Sequence, residues 1–222
     1  MIDRSNEPAE NRIGDIINIL TELYPDARPT LDFSTCHELL VAAILAAQCT
    51  DERVNRVTPH LFEKYPNVEA FASADYDELE EIIRPTGFFR NKTKAIIASA
   101  RQIVSDYGGE VPDDIDDLVK LDGVGRKTAN LIIGVCYGRP AVIVDTHVTR
   151  VSRRLGLTTQ KDPKKIEMDL RALLPEDKMT MYNHLIVFHG REICKAPTPL
   201  CEICPLVPLC PCGQERMAAK LK

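Results

Sequence analysis

Apolar positions recur at spacings of three and four along most of the chain, the period of a helix with one buried face. Ile13, Ile16, Ile17, Leu20 and Leu23 form the first such stripe. Ser34 or Thr35 suits the N-cap of a second, which carries Leu39, Leu40, Ala43, Ile44 and Ala47. Leu79, Ile82 and Ile83 mark a short amphipathic helix that the stretch 85–87, with its Pro and Gly, ends. Asn91 opens a long helix through Ile96, Ile97, Ala100 and Val104, closed by Gly108 and Gly109. Two further helices, 113–121 and 126–135, are joined by the tight segment 122–125. Helices over 163–173, with Pro in its first turn, and 177–194 complete the set. The β-branched run 142–144 stands alone, and a single strand has no partner for its backbone, so it reads as a loop or a helix lead-in. The pattern predicts an all-α fold.

Composition adds bounds. The chain has 222 residues, 44% of them apolar and 27% charged, enough for one large or two small domains with a sizeable core. The longest apolar run, 39–47, is nine residues, too short to cross a bilayer, and residues 1–10 are polar, unlike a signal peptide. A cytoplasmic protein without a membrane partner is expected, with a monomer as the default. Aromatic residues are 5% and Trp is absent, which argues against a platform of stacked rings. The net charge of −5 speaks mildly against a phosphate-rich partner. The acidic excess is nevertheless concentrated in 75–81 and 110–117, whereas 90–101 and the cluster Arg150, Arg153, Arg154 are basic. Net charge does not describe a local surface.

Eight cysteines in a reducing compartment point to metal ligands or free thiols. Four of them are spaced Cys194-x6-Cys201-x2-Cys204-x5-Cys210, with prolines at 197, 199, 205 and 208 between them. Such a segment has little apolar core of its own, so a metal is expected to organise it. Four thiolates suit tetrahedral zinc or an iron–sulfur cluster, although only one of the gaps has the close spacing usual for zinc. Cys212 is a candidate substitute ligand. Cys36, Cys49 and Cys136 fall in helical stretches and read as small core residues.

The segment Leu121-Asp-Gly-Val-Gly-Arg-Lys-Thr-Ala129 is neither a P-loop nor a dinucleotide fingerprint, because Arg126 and Thr128 stand where glycines belong. It is a glycine turn leading into a helix N-terminus. Gly123 and Gly125 permit conformations closed to other residues, and free N–H groups at the helix start suit a phosphate. This is a helix-hairpin-helix arrangement, with a plain structural turn as the alternative. Lys127 in the first helical turn faces the positive end of the helix dipole with Arg126 beside it. Both disfavour another positive charge there, a setting that suits a lysine nucleophile. About eighteen residues on, Asp145 in Val144-Asp-Thr-His147 follows four apolar residues and suits both an N-cap and a buried catalytic carboxylate.

With these residues assembled, the chain resembles the endonuclease III family, within the helix-hairpin-helix DNA glycosylase superfamily, from about Ile13 to Cys210. The resemblance rests on the segment Ala47-Gln-Cys-Thr-Asp51, the hairpin with Lys127, the Val-Asp-Thr-His segment and the cysteine spacing, in that order. It implies two helical domains: a six-helix domain over 29–139, and a second made of 1–28 and 140–222 that carries a [4Fe–4S] cluster on Cys194, Cys201, Cys204 and Cys210. Duplex DNA containing damaged pyrimidines or abasic sites is the implied partner, lying between the domains, with a nucleoid-associated location. Lys127 and Asp145 are the implied catalytic pair, excising oxidised or ring-saturated pyrimidines such as thymine glycol and cutting the abasic strand by β-elimination through a lysine Schiff base. DNA contacts are implied for Gln48, which fills the gap left by a flipped base, for Phe88, for the hairpin residues Gly123, Val124, Gly125, Arg126, Lys127 and Thr128, and for His147.

Three positions depart from the family pattern. Phe88 stands where a leucine wedge is frequent, Asp122 replaces a frequent proline, and the loop 195–200 keeps one basic residue. Lys127 speaks against the adenine-mismatch glycosylases, which share the fold but lack that lysine. A non-catalytic DNA-binding or electron-transfer module is the rival from another class, in which Lys127 has no chemical role.

Overall fold

The computed structural model describes residues 2–220. They form α1 (Ala9–Leu23), α2 (Cys36–Leu45), α3 (Asp51–Lys64), α4 (Val68–Ala72), α5 (Tyr76–Ile83), α6 (Phe89–Tyr107), α7 (Ile115–Leu118), α8 (Arg126–Val135), α9 (Thr146–Arg154), α10 (Pro163–Leu173), α11 (Met179–Glu192) and α12 (Pro211–Lys220). Single 3-10 turns cover Arg84–Thr86, Glu176–Lys178, Cys201–Ile203 and Val207–Leu209. Among the described residues there is no strand, so the fold is all-α. No helix among them is long and apolar enough to cross a membrane.

Several boundaries differ from the periodicity. The helix expected over 113–121 shrinks to α7, because the Asp114 side chain caps it at Asp116 N (2.8 Å) and the chain turns away after Val119. Helix α6 starts at Phe89, two residues before Asn91. Leu23, at the end of α1, is exposed, and Ala47 lies past the end of α2.

The chain divides into two compact units, one formed by Pro29–Arg139 and the other by the segment ending at Arg28 together with that starting at Pro140. The central unit holds α2 to α8. Side chains cap several of its helix starts: Thr35 accepts from Glu38 N (3.1 Å), Asn67 from Ala70 N (2.8 Å) and Asp75 from Glu78 N (2.9 Å). Leu39, Leu40, Leu61, Phe71, Leu79, Ile83, Ile96 and Ile103 are fully buried, each worth about 1.5–3 kcal/mol of hydrophobic stabilisation. Lys92 of α6 is buried among them. A buried ammonium must be hydrogen-bonded, and its Nζ donates to the carbonyls of Leu45 (2.8 Å) and Thr86 (2.9 Å).

The other unit joins α1 to α9–α12 around a core of Ile13, Ile16, Leu20, Val148, Val151, Leu170, Tyr182, Ile186, Leu206 and Leu209. Arg12 of α1 is buried, and its guanidinium donates to the carbonyls of Glu7 (2.8 Å), Leu155 (2.8 Å) and Leu209. Gly190 of α11 allows α9 to pack closely, since a Cβ there would lie 2.8 Å from His147 Cδ2. The extended segment 141–144 has no strand partner. Thr180 and Asn183 of α11 take up two of its carbonyls instead, donating to Ala141 (3.3 Å) and Ile143 (3.0 Å).

Candidate functional site

The central unit carries the hairpin. Leu121 and Val124 are buried and anchor it, while Asp122, Gly123 and Gly125 stay exposed. Gly123 has φ +76°, and a Cβ on it would lie 2.7 Å from the Cβ of Ala95. Only glycine fits there without a shift. Gly125 corrects the expectation drawn from the pattern: its φ of −89° is extended backbone that any residue adopts. The left-handed turn is made at Gly123 alone, and Gly125 serves as the N-cap of α8, where no side chain caps the helix. Space lies open where a Gly125 Cβ would stand. Lys127 is exposed in the first turn of α8, with Arg126 and Thr128 half-buried beside it.

Gln48 and Phe88 belong to the same unit. Both are exposed, and both hold a left-handed backbone, φ +53° and +48°. L residues rarely adopt this conformation, which costs roughly 1–3 kcal/mol each and tends to mark functional loops. Phe88 is 61% exposed, unusual for so large an apolar ring. The next residue, Phe89, lies under the guanidinium groups of Arg84 (5.4 Å) and Arg90 (5.9 Å). Cys36, Cys49 and Cys136 are half-buried rather than core, and Cys49 lies in the turn after α2, outside any helix.

In the other unit Asp145 is the N-cap of α9. Its Oδ1 accepts from Val148 N at 2.7 Å, and its Oδ2 lies 3.5 Å from His147 Nδ1. One oxygen is thus committed to the helix, and the second faces a titratable ring. His147 packs closely against Gly190. Sequence reasoning missed His184 of α11, which sits in an apolar stripe without a local motif. Burial pushes it down to about 4, against the pull of the Asp145 charge.

Cys194, Cys201, Cys204, Cys210 and Cys212 line one pocket, walled by Val151, Leu155, Leu200, Leu206 and Val207. Donors point at the sulfurs: Arg154 Nη1 at Cys194 Sγ (3.3 Å) and Gly213 N at Cys210 Sγ (3.2 Å). Burial pushes the Cys204 thiol up to about 11 and that of Cys210 to about 12, so thiolates there need a cationic partner. Among the described residues, no three Cys, His, Asp or Glu side chains converge closely enough to hold a single metal ion. The loop 195–200, poor in basic residues, is held from outside: Arg154 also donates to the carbonyls of Lys195 (2.8 Å) and Pro197 (3.1 Å), and Arg150 to that of Cys194 (3.2 Å).

A glycine hairpin entering a helix with an exposed first-turn lysine, on an all-α scaffold, is the arrangement of a class with its own sequence profile. That of the HhH-GPD superfamily base excision DNA repair proteins matches residues 41–176. The endonuclease III of Synechocystis sp. is 50% identical over 92% of this chain and 94% of its own. Two solved structures agree in fold at a TM-score of 0.88, each covering 94% of this chain and 98% of theirs. One is a non-covalent endonuclease III–DNA complex, at 41% identity, and the other a trapped endonuclease III–DNA covalent intermediate, at 42%. The chain belongs to the endonuclease III family, and it is thereby a DNA glycosylase/lyase of base-excision repair.

Proposed function

We propose that this enzyme removes oxidised or ring-saturated pyrimidines, such as thymine glycol, from duplex DNA and then cuts the abasic strand through a Schiff base on Lys127. The observation that carries this reading is the exposed Lys127 in the uncapped first turn of α8, directly behind the left-handed turn at Gly123. The uncapped N–H groups suit a backbone phosphate, which brings the sugar within reach of the amine. That a relative has been trapped as a covalent DNA intermediate supports the same chemistry.

The target base leaves the stack before reaction. Phe88 enters as a wedge at the base step, and Gln48 fills the space that the base vacates. Residues 123–128 grip the phosphates, and His147 adds a contact. The neutral Lys127 amine attacks the sugar C1′, the C1′–N bond breaks, and the base leaves with the bonding electrons and takes up a proton. Asp145 stabilises positive charge at the sugar and takes the proton that the amine sheds. Ring opening gives the iminium, which acidifies C2′. Loss of a C2′ proton expels the 3′ phosphate, and water then hydrolyses the imine and frees the lysine.

Cys194, Cys201, Cys204 and Cys210 fit a [4Fe–4S] cluster. They share one pocket with apolar walls, and two of the sulfurs accept N–H donors as cluster thiolates do. A zinc site draws four sulfurs to about 2.3 Å of one ion, whereas a [4Fe–4S] cluster would take one thiolate on each of its four irons. Held by these four cysteines, such a cluster would cross-link the Pro-rich tail.

Borohydride trapping on a duplex with one thymine glycol tests the reading. A covalent adduct with wild type and none with Lys127→Ala is expected. No adduct from cluster-loaded wild type refutes the Schiff base.

A further inference from the structure

Gln48 and Phe88 are the only non-glycine residues with positive φ among the described residues. Leu45, the last residue of α2, lies three positions before Gln48, and Thr86 lies two before Phe88. These are the two residues whose carbonyls accept from Lys92 Nζ, at 2.8 and 2.9 Å. A single buried ammonium therefore ties the roots of both left-handed loops to the N-terminal part of α6. Thr86 is itself pinned, its Oγ1 donating to the carbonyl of Ile83 at 2.8 Å. Lysine suits this place because its long arm brings several donors to carbonyls on separate segments. A hydroxyl or amide on the same helix has a shorter reach.

We infer that Lys92 is a positioning residue that sets Gln48 and Phe88 in register, so that both enter the duplex as one unit. This rests on the reading above, in which those two side chains open the helix. Lys92 touches no DNA and takes no part in bond making. Its influence passes through the two carbonyls, and it governs base extrusion rather than the chemistry at Lys127. Removing the ammonium frees the two loops to relax independently, and an extruded base then meets a wedge and a filler that are out of step.

A double-mutant cycle on single-turnover thymine glycol excision separates this from a merely structural role. In the wild-type background Lys92→Met is expected to slow excision about tenfold, equivalent to ~1.4 kcal/mol of barrier. In a Gln48→Ala/Phe88→Ala background it is expected to cost less than about twofold, because the side chains that it positions are gone. The fluorescence of 2-aminopurine opposite the lesion, which reports unstacking, is expected to fall with Lys92→Met in the first background only. Circular dichroism confirms that each variant is folded. If the Met variant does not fold, Lys92→Arg, which keeps the donors on a longer arm, replaces it in the same cycle. An equal slowing in both backgrounds overturns the inference and leaves Lys92 as a structural staple. Wild-type protein that neither excises nor traps overturns the functional reading instead, and this inference with it.

Discussion

Gly123→Ala probes the hairpin where the backbone leaves least freedom. At φ +76° an L side chain costs about 1–2 kcal/mol. The new Cβ also lies 2.7 Å from the Cβ of Ala95, and overpacking of this kind costs about 1–3 kcal/mol. Together the loss is roughly 2–5 kcal/mol, a large part of a typical domain's stability. The two contributions separate experimentally. Ala95→Gly removes the steric conflict but leaves the backbone cost, and alone it costs about 1 kcal/mol as a glycine inside a helix. Denaturant unfolding of wild type, both single variants and the double variant, followed by helical circular dichroism, gives the cycle. The double variant is expected to be more stable than the sum of the single variants by about 1–3 kcal/mol. A Gly123→Ala protein within about 0.5 kcal/mol of wild type, or an additive cycle, would show that the hairpin does not rest on α6 in this way.

Three other outcomes are expected from the same geometry. Cys204→Ala should lose iron and visible absorbance together with thermal stability; full stability in an iron-free variant would refute a structural cluster. Arg154→Ala removes the donor to the Cys194 sulfur and those to the carbonyls of Lys195 and Pro197 at once, so chelators should strip iron faster and proteases should cut within 195–199, and unchanged rates would show that the loop holds itself. His37 is buried against Phe71 and its protonation is pushed down to about 4 from the usual 6.5. The unfolded chain therefore binds this proton more readily, and stability present above about pH 6.5 falls as pH drops towards 4, by up to about 3 kcal/mol for this group. His37→Gln is expected to flatten the profile in that window, and an identical acid limb in the variant would refute the assignment.

The helical periodicity exposed most of the scaffold because burial on one face is written into spacing. Ile13, Ile16, Ile17 and Leu20 went inside as the stripe predicts. Helix α3 escaped it, since Pro59 lies inside and reads as a breaker. The last helix, α12, escaped it too: it follows a Pro-rich stretch and has little apolar face, with Gly213 its one buried residue among those described. The hairpin was legible because glycine marks a special turn, although the pattern alone did not tell Gly123 from Gly125. The left-handed backbone at Gln48 and Phe88 was not legible, because neither residue type advertises it. Lys92 and His184 were hidden for a related reason: their environments are assembled from distant segments, and each looks ordinary among its chain neighbours.

The unit that carries the thiol pocket is assembled from both ends of the chain, and this sets an order on biosynthesis. The Arg12 guanidinium waits for the carbonyls of Leu155 and Leu209, and Ile13 and Ile16 wait for Leu206 and Leu209 to complete their core. The central unit, Pro29–Arg139, leaves the ribosome whole and is free to fold while its neighbour is still half made. A growing chain therefore displays Lys127 on finished helices before Asp145 and the cysteine loop exist. Through most of translation α1 is an unpaired amphipathic segment, and this is the interval in which a chaperone that shields apolar faces has most to offer.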